Sequence, residues 1–262
     1  MKLGDIVKQA KDFFGKVFQK NKYESLLLDY IALSQSHPDD LRIKIKISET
    51  YFKAHESKKA IETYEEVVQK YIADNFILKA ISIIKIILKI DPDRTDLNLK
   101  LTDLYLKLEM PKEAVNQLYI AAAAYHAHGE TNKHIECLSR IVSIDPSSLN
   151  RRKLAEGHQL DGNLAEALTQ FEHLAQNFKE TKDYDNLLKV YELILPHKPG
   201  NKTMIRDVCI LYLRKQQPDH ALRTMEKYKL DTENEFAELY DKAKLMQKAL
   251  RHPTPAGVVR NA

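Results

Sequence analysis

Large apolar residues recur along this chain at three- and four-residue spacing, the period of a helix with one buried stripe, and no stretch shows the alternation of a strand. Prolines punctuate the pattern at Pro38, Pro92, Pro146, Pro199 and Pro253, at intervals of 54, 54, 53 and 54 residues. The segments between them match position by position. In each first helix a large apolar residue is followed by a small one and, three further on, by a ring: Ile47-Ser48-Tyr51, Leu101-Thr102-Tyr105, Leu154-Ala155-His158 and Val208-Cys209-Tyr212. Alanine stands nine residues after each ring, at Ala60, Ala114, Ala167 and Ala221. Four later come Tyr64, Leu118, Phe171 and Met225. A small residue here lets two helix backbones approach, and the ring and the large apolar residue fill the space on either side.

Each unit then carries a third helix that ends at its proline. Ala80, Ile84, Ile87 and Pro92 mark it in one unit, His134, Leu138, Ile141 and Pro146 in the next, and Leu187, Tyr191, Ile194 and Pro199 in the third. Residues 1–37 read as two further helices split near Lys20 to Tyr23. The total is about fourteen helices in an all-α stack of antiparallel helices. The last unit breaks the pattern, with Asp241 where alanine belongs and Lys248 where an apolar residue belongs, as suits a terminal face that meets water.

The ring, alanine and closing-proline spacing resembles the tetratricopeptide signature, whose usual period is about 34 residues. The 54-residue unit departs from that period, as if the middle helix, for example 58–73, were the second helix of one pair and the first of the next. Either the units form one two-layer superhelix or each packs as its own three-helix bundle. With an odd number of helices per unit, a two-layer stack sets equivalent helices of neighbouring units in opposite layers. The resemblance implies an α-solenoid with a helical cap over 1–37 and a superhelix over 38–252, in units 38–91, 92–145, 146–198 and 199–252. Residues 253–262 follow as a loose tail, since His-Pro-Thr-Pro-Ala-Gly cannot continue a helix. The run from Phe76 to Pro92 resembles bacterial tetratricopeptide proteins, some of which are adaptors in motility, polarity or secretion.

The resemblance also implies a scaffold that binds a protein or peptide without cofactor or turnover. In such repeats the contacts come from first-helix positions two before the ring and one after it. Here these are Glu49, Asp103, Glu156 and Ile210, then Phe52, Leu106, Gln159 and Leu213. If the acids share a surface they favour a partner with a basic segment; otherwise they are a solvated row beside Lys46, Lys100 and Lys153. The Asn and Lys of the carboxylate clamp, a peptide-terminus grip of the family, are not reproduced.

Composition narrows the alternatives. The chain holds 41 basic and 37 acidic residues scattered throughout, for a net charge of only +4, so charge gives no argument for nucleic acid. Phosphate loops, nucleophile elbows and metalloprotease helices are missing from the sequence, and an enzyme is not expected. Cys137 and Cys209 lie far apart in apolar runs and read as reduced core thiols. Their reduced state, with no signal peptide or membrane-length run, points to the cytoplasm. His126, His128, His134 and Cys137 could in principle ligate zinc, but His134 occupies a packing slot and Cys137 precedes core Leu138, so no metal is expected.

The first helix has two uses. Leu3, Ile6, Val7, Ala10, Phe13, Phe14, Val17 and Phe18 form one apolar face, and the lysines at 2, 8, 11, 16, 20 and 22 lie outside it. Such a helix caps the stack, or lies on an anionic membrane and recruits the chain as a regulator anchored by 1–22. The stack's need for a cap favours the first. Monomer and dimer are equally compatible with this reading.

Overall fold

The computed structural model describes residues 22–251, which hold 13 α-helices and no strand. Helix α1 covers residues 22–36, and the expectations for residues 1–21, including Leu3, Val7, Phe14 and Phe18, lie outside the described residues. Three helices follow per unit, as the proline intervals predict. They are α2 (Leu41–Lys53), α3 (Ser57–Ala73) and α4 (Ile77–Ile90), then α5 (Thr95–Lys107), α6 (Pro111–Ala127) and α7 (Thr131–Ile144). The third unit has α8 (Ser148–Leu160), α9 (Leu164–Glu180) and α10 (Tyr184–Ile194), and the last has α11 (Lys202–Arg214), α12 (Pro218–Lys227) and α13 (Ala237–Arg251).

Within units the helices are joined by one recurring turn. His55, Asn75, Glu109, Gly129, Gly162, Lys182, Gln216 and Lys229 all take positive φ, between 56° and 77°. The amide of each donates to the carbonyl three residues back, and the next amide donates to the carbonyl five residues before it, at 2.7–2.9 Å. This is the Schellman closure, which satisfies the last carbonyls of a helix. The accepting carbonyl belongs to Tyr51, Tyr105, His158 and Tyr212 at the ends of first helices, and to Tyr71, Tyr125 and Phe178 at the ends of second helices. The ring therefore marks two hairpins per unit, and the middle helix serves both. Between units the turn differs. Asp91 is extended (φ −135°, ψ 92°) because the residue before Pro92 cannot stay helical, and α4 stops there.

The predicted packing slots are buried. Ala60, Ala114, Ala167 and Ala221 have no exposed surface, nor do Ser48, Thr102, Ala155 and Cys209 opposite them. The polar atoms in these slots are satisfied locally. Ser48 and Thr102 donate to the carbonyls four residues back, Lys44 and Asn98, at 3.0 Å. Cys209 reaches across the hairpin to the carbonyl of Ala221 at 3.6 Å, and burial pushes its thiol pKa up to about 12, so the sulfur is a neutral packing atom. Each fully buried large side chain here, such as Ile84, Leu118 or Phe171, contributes roughly 1.5–3 kcal/mol of transfer free energy.

The chain divides between Ile144 and Asp145 into two compact units. In the first, helices pack most closely on a neighbour in sequence, and ion pairs join adjacent helices, Lys44 of α2 with Glu66 of α3 at 2.7 Å, as well as helices one apart. Arg94, just before α5, bonds Glu65 of α3 at 2.6 Å, and Arg140 of α7 bonds Asp103 of α5 at 2.6 Å. Ion pairs therefore link α3 to the start of α5, and α5 to α7. In the second compact unit Lys179 of α9 bonds Asp207 of α11 at 3.2 Å in the same skipping fashion.

The last helix pair departs from the rest. Helix α12 has 10 residues where α3, α6 and α9 have 17, and the chain crosses to α13 through a short turn at Asn234–Phe236. Phe236 is fully buried, and Ala243 fills the small slot of α13. Asp241 and Lys248 are exposed, as their polarity requires.

Candidate protein-interaction surface

The first-helix positions expected to contact a partner differ in burial and in their ion pairs. Glu49 on α2 is half-buried and bonds Lys46 at 2.8 Å. Asp103 on α5 bonds Arg140 at 2.6 Å, and Glu156 on α8 lies 3.8 Å from Arg152 in the second compact unit. Each of the three acids already has a basic neighbour. Phe52 (48% exposed) and Leu106 (38% exposed) are large apolar side chains open to solvent, and Gln159 is exposed. Leu213 corrects the expectation of exposure: it is buried in the core of the second compact unit, where α13 returns against α11 and encloses this end of the helix. Ile210 is half-buried.

The histidine set resolves into packing. His134 stands half-buried in the slot that Ala80 fills one unit earlier, and its Nδ1 lies 2.9 Å from the Ala122 carbonyl oxygen. The rings of His126 and His134 sit 5.0 Å apart, while Cys137 points into the core with its thiol pKa raised by burial. Among the described residues no three His, Cys, Asp or Glu side chains are grouped to hold a metal ion. No helix among the described residues is long and apolar enough to cross a membrane.

Two open grooves, not marked by the sequence reading, occur where the third helix of a unit meets the first helix of the next. The first, of about 440 Å³, is bounded by the α3–α4 turn, the start of α4 and the end of α5: Asn75, Phe76, Ile77, Leu78, Lys79, Lys107 and Leu108. Phe76 is 50% exposed and Leu78 66%. The Phe76 ring meets Tyr71 edge-on with centroids 6.3 Å apart, the apolar contact that commonly accompanies a Schellman turn. Lys79 Nζ lies 4.4 Å from the Phe76 centroid.

The second groove, of about 380 Å³, occupies the equivalent position in the second compact unit. Tyr184 opens α10 as Ile77 opens α4, and Arg214 closes α11 as Lys107 closes α5. The Arg214 guanidinium stands 4.7 Å from the Tyr184 ring centroid, within cation–π range. The available signal was positional: an apolar residue just after the left-handed turn residue (Phe76), or opening the next helix (Tyr184), with a base closing the neighbouring helix.

Compared with known proteins, residues of this chain are 23% identical over 194 residues to human tetratricopeptide repeat protein 21A, covering 72% of this chain. The chain spans only 14% of that protein's length. No family model matches the chain. Among solved structures, similarity is found to the apo form of RapI (12% identity, 90% of this chain and 97% of that one, TM-score 0.33). Others are the P58(IPK) tetratricopeptide domain (12%, 94% and 99%, TM-score 0.26) and MamA (18%, 70% and 96%, TM-score 0.22).

Proposed function

This chain carries tetratricopeptide-type repeats, and from that premise we propose that it is a non-catalytic scaffold whose helical surface holds a segment of another protein. The observation that carries the reading is the set of large apolar side chains left open to solvent beside a well-filled core. Phe52, Phe76, Leu78 and Leu106 are 38–66% exposed, whereas the slots beneath them are closed. Such residues cost solubility unless they meet a partner, and aromatic and aliphatic anchors of this kind carry most of the energy of protein interfaces. Repeat kinship supports the same reading. Residence in the cytoplasm accords with the two reduced, buried cysteines.

The test is retention from lysate by two immobilised versions, residues 1–262 and 23–262. One protein held near stoichiometrically by both places binding on the described repeats. Retention by the longer version alone moves the function to residues 1–22 and to the membrane-recruited regulator. Retention of nothing by either ends the scaffold reading.

A further inference from the structure

Both grooves are lined by basic side chains beside apolar ones. Lys179 and Asp207, which both line the second groove, offset each other in an ion pair of 3.2 Å, while Lys70 pairs with Asp74 and Lys215 with Asp185 outside the grooves. Within the grooves themselves, Lys79 and Lys107 in the first, and Lys182 and Arg214 in the second, have no carboxylate within ion-pair distance among the described residues. One cation of each pair lies over a half-exposed ring, Lys79 over Phe76 and Arg214 over Tyr184. The other is held away from that ring, at the end of α5 (Lys107) or in the left-handed turn (Lys182). The same arrangement is thus built twice from different residues: Phe and Lys in one case, Tyr and Arg in the other.

We propose that these two grooves are equivalent docking sites for an acidic peptide segment in which Asp or Glu alternates with large apolar side chains. This rests on the scaffold reading and names the chemistry of its partner. An apolar side chain lies against Phe76 and Leu78, or against Tyr184, and a carboxylate from the neighbouring residue sits between the two cations. Charge complementarity selects the occupant. Two uncompensated cations beside an apolar floor repel a basic segment and leave a purely apolar one without a polar partner.

The experiment measures anisotropy of a short labelled peptide of repeated Glu-Leu-Glu-Phe against the full chain. A control peptide carries Lys in place of Glu. The acidic peptide binds and the basic one does not, and binding weakens as salt rises. Lys107→Glu combined with Arg214→Glu lowers affinity by about tenfold, since each reversed rim charge is worth roughly three- to fivefold. Lys107→Gln with Arg214→Gln gives a smaller loss in the same direction, and circular dichroism checks that both variants keep their helices. Equal binding of the two peptides, or unchanged affinity in the charge-reversed chain, overturns the proposal. So does displacement of the peptide by millimolar inorganic phosphate, which would make the cations a site for free anions. A partner from lysate that still binds the charge-reversed chain at full strength leaves the scaffold standing and removes the grooves. Loss of every partner from the unaltered chain removes both.

Discussion

The turn after α3 and the turn after α12 use the same backbone device and lead to different structures. In each an L-residue, Asn75 or Lys229, takes positive φ, and the next amide bonds back to Tyr71 or Met225. After Asn75 the chain enters a helix at Ile77, and Ala80 arrives, nine residues beyond the ring, in the slot where two backbones meet. Nine residues beyond Met225 stands Asn234, whose amide would be buried without a partner in that slot. The hairpin does not close there; Leu230 and Phe236 cover the exposed core and α13 starts later. Turn chemistry decides where a helix stops, and the residue nine places on decides whether the next one packs at once.

The comparison is broken most severely at Phe236. Phe236→Ala removes the side chain that substitutes for a missing helical turn and costs about 3–5 kcal/mol, read by thermal or urea unfolding. In a regular hairpin the equivalent weak point is the small slot. Ala114→Leu forces α5 and α6 apart and costs about 1–3 kcal/mol, whereas Ala249→Leu on the exposed face of α13 changes stability little.

The turns themselves give a paired test. A Cβ on Gly162 meets nothing within 4 Å, so Gly162→Ala costs only its positive φ, about 1 kcal/mol. Lys182→Gly relieves the same strain at the next turn and gains up to about 1 kcal/mol in the melting curve.

The smallest effect is electrostatic. The Arg94 guanidinium holds the Asp96 carboxyl below its ordinary value through two 2.8 Å bonds, though the carboxylate is well exposed. Stability from this pair is full above the unfolded carboxylate pKa, about 4, and is lost as pH falls through the depressed native value. Melting between pH 6 and pH 3 therefore shows Arg94→Gln losing less than the parent, by a few tenths of a kcal/mol after solvent screening.

The fold was legible because its constraint is local and repeated. The alanine and small slots tolerate nothing larger, so Ala60, Ala114, Ala167 and Ala221 stand out against a background of variable neighbours. The rings of the second hairpin, Tyr71, Tyr125 and Phe178, carry the same spacing, but their partners nine residues on are Ala80, His134 and Leu187, and the unlike slots hid the likeness. The surface was less legible because exposure depends on which helix lies alongside, and chain order does not name that neighbour. Leu213 looks like Leu106 in sequence and is buried, since α13 returns against α11. Lys107 and Arg214 look like ordinary last-turn bases until the ring at the start of another helix is set beside them.

Three helices per unit also govern how such a chain can grow. Because the middle helix of a unit takes part in two hairpins, as α3 does with α2 and α4, the smallest piece that can be gained or lost without leaving a ring and its alanine slot unmatched is the whole unit, both hairpins together.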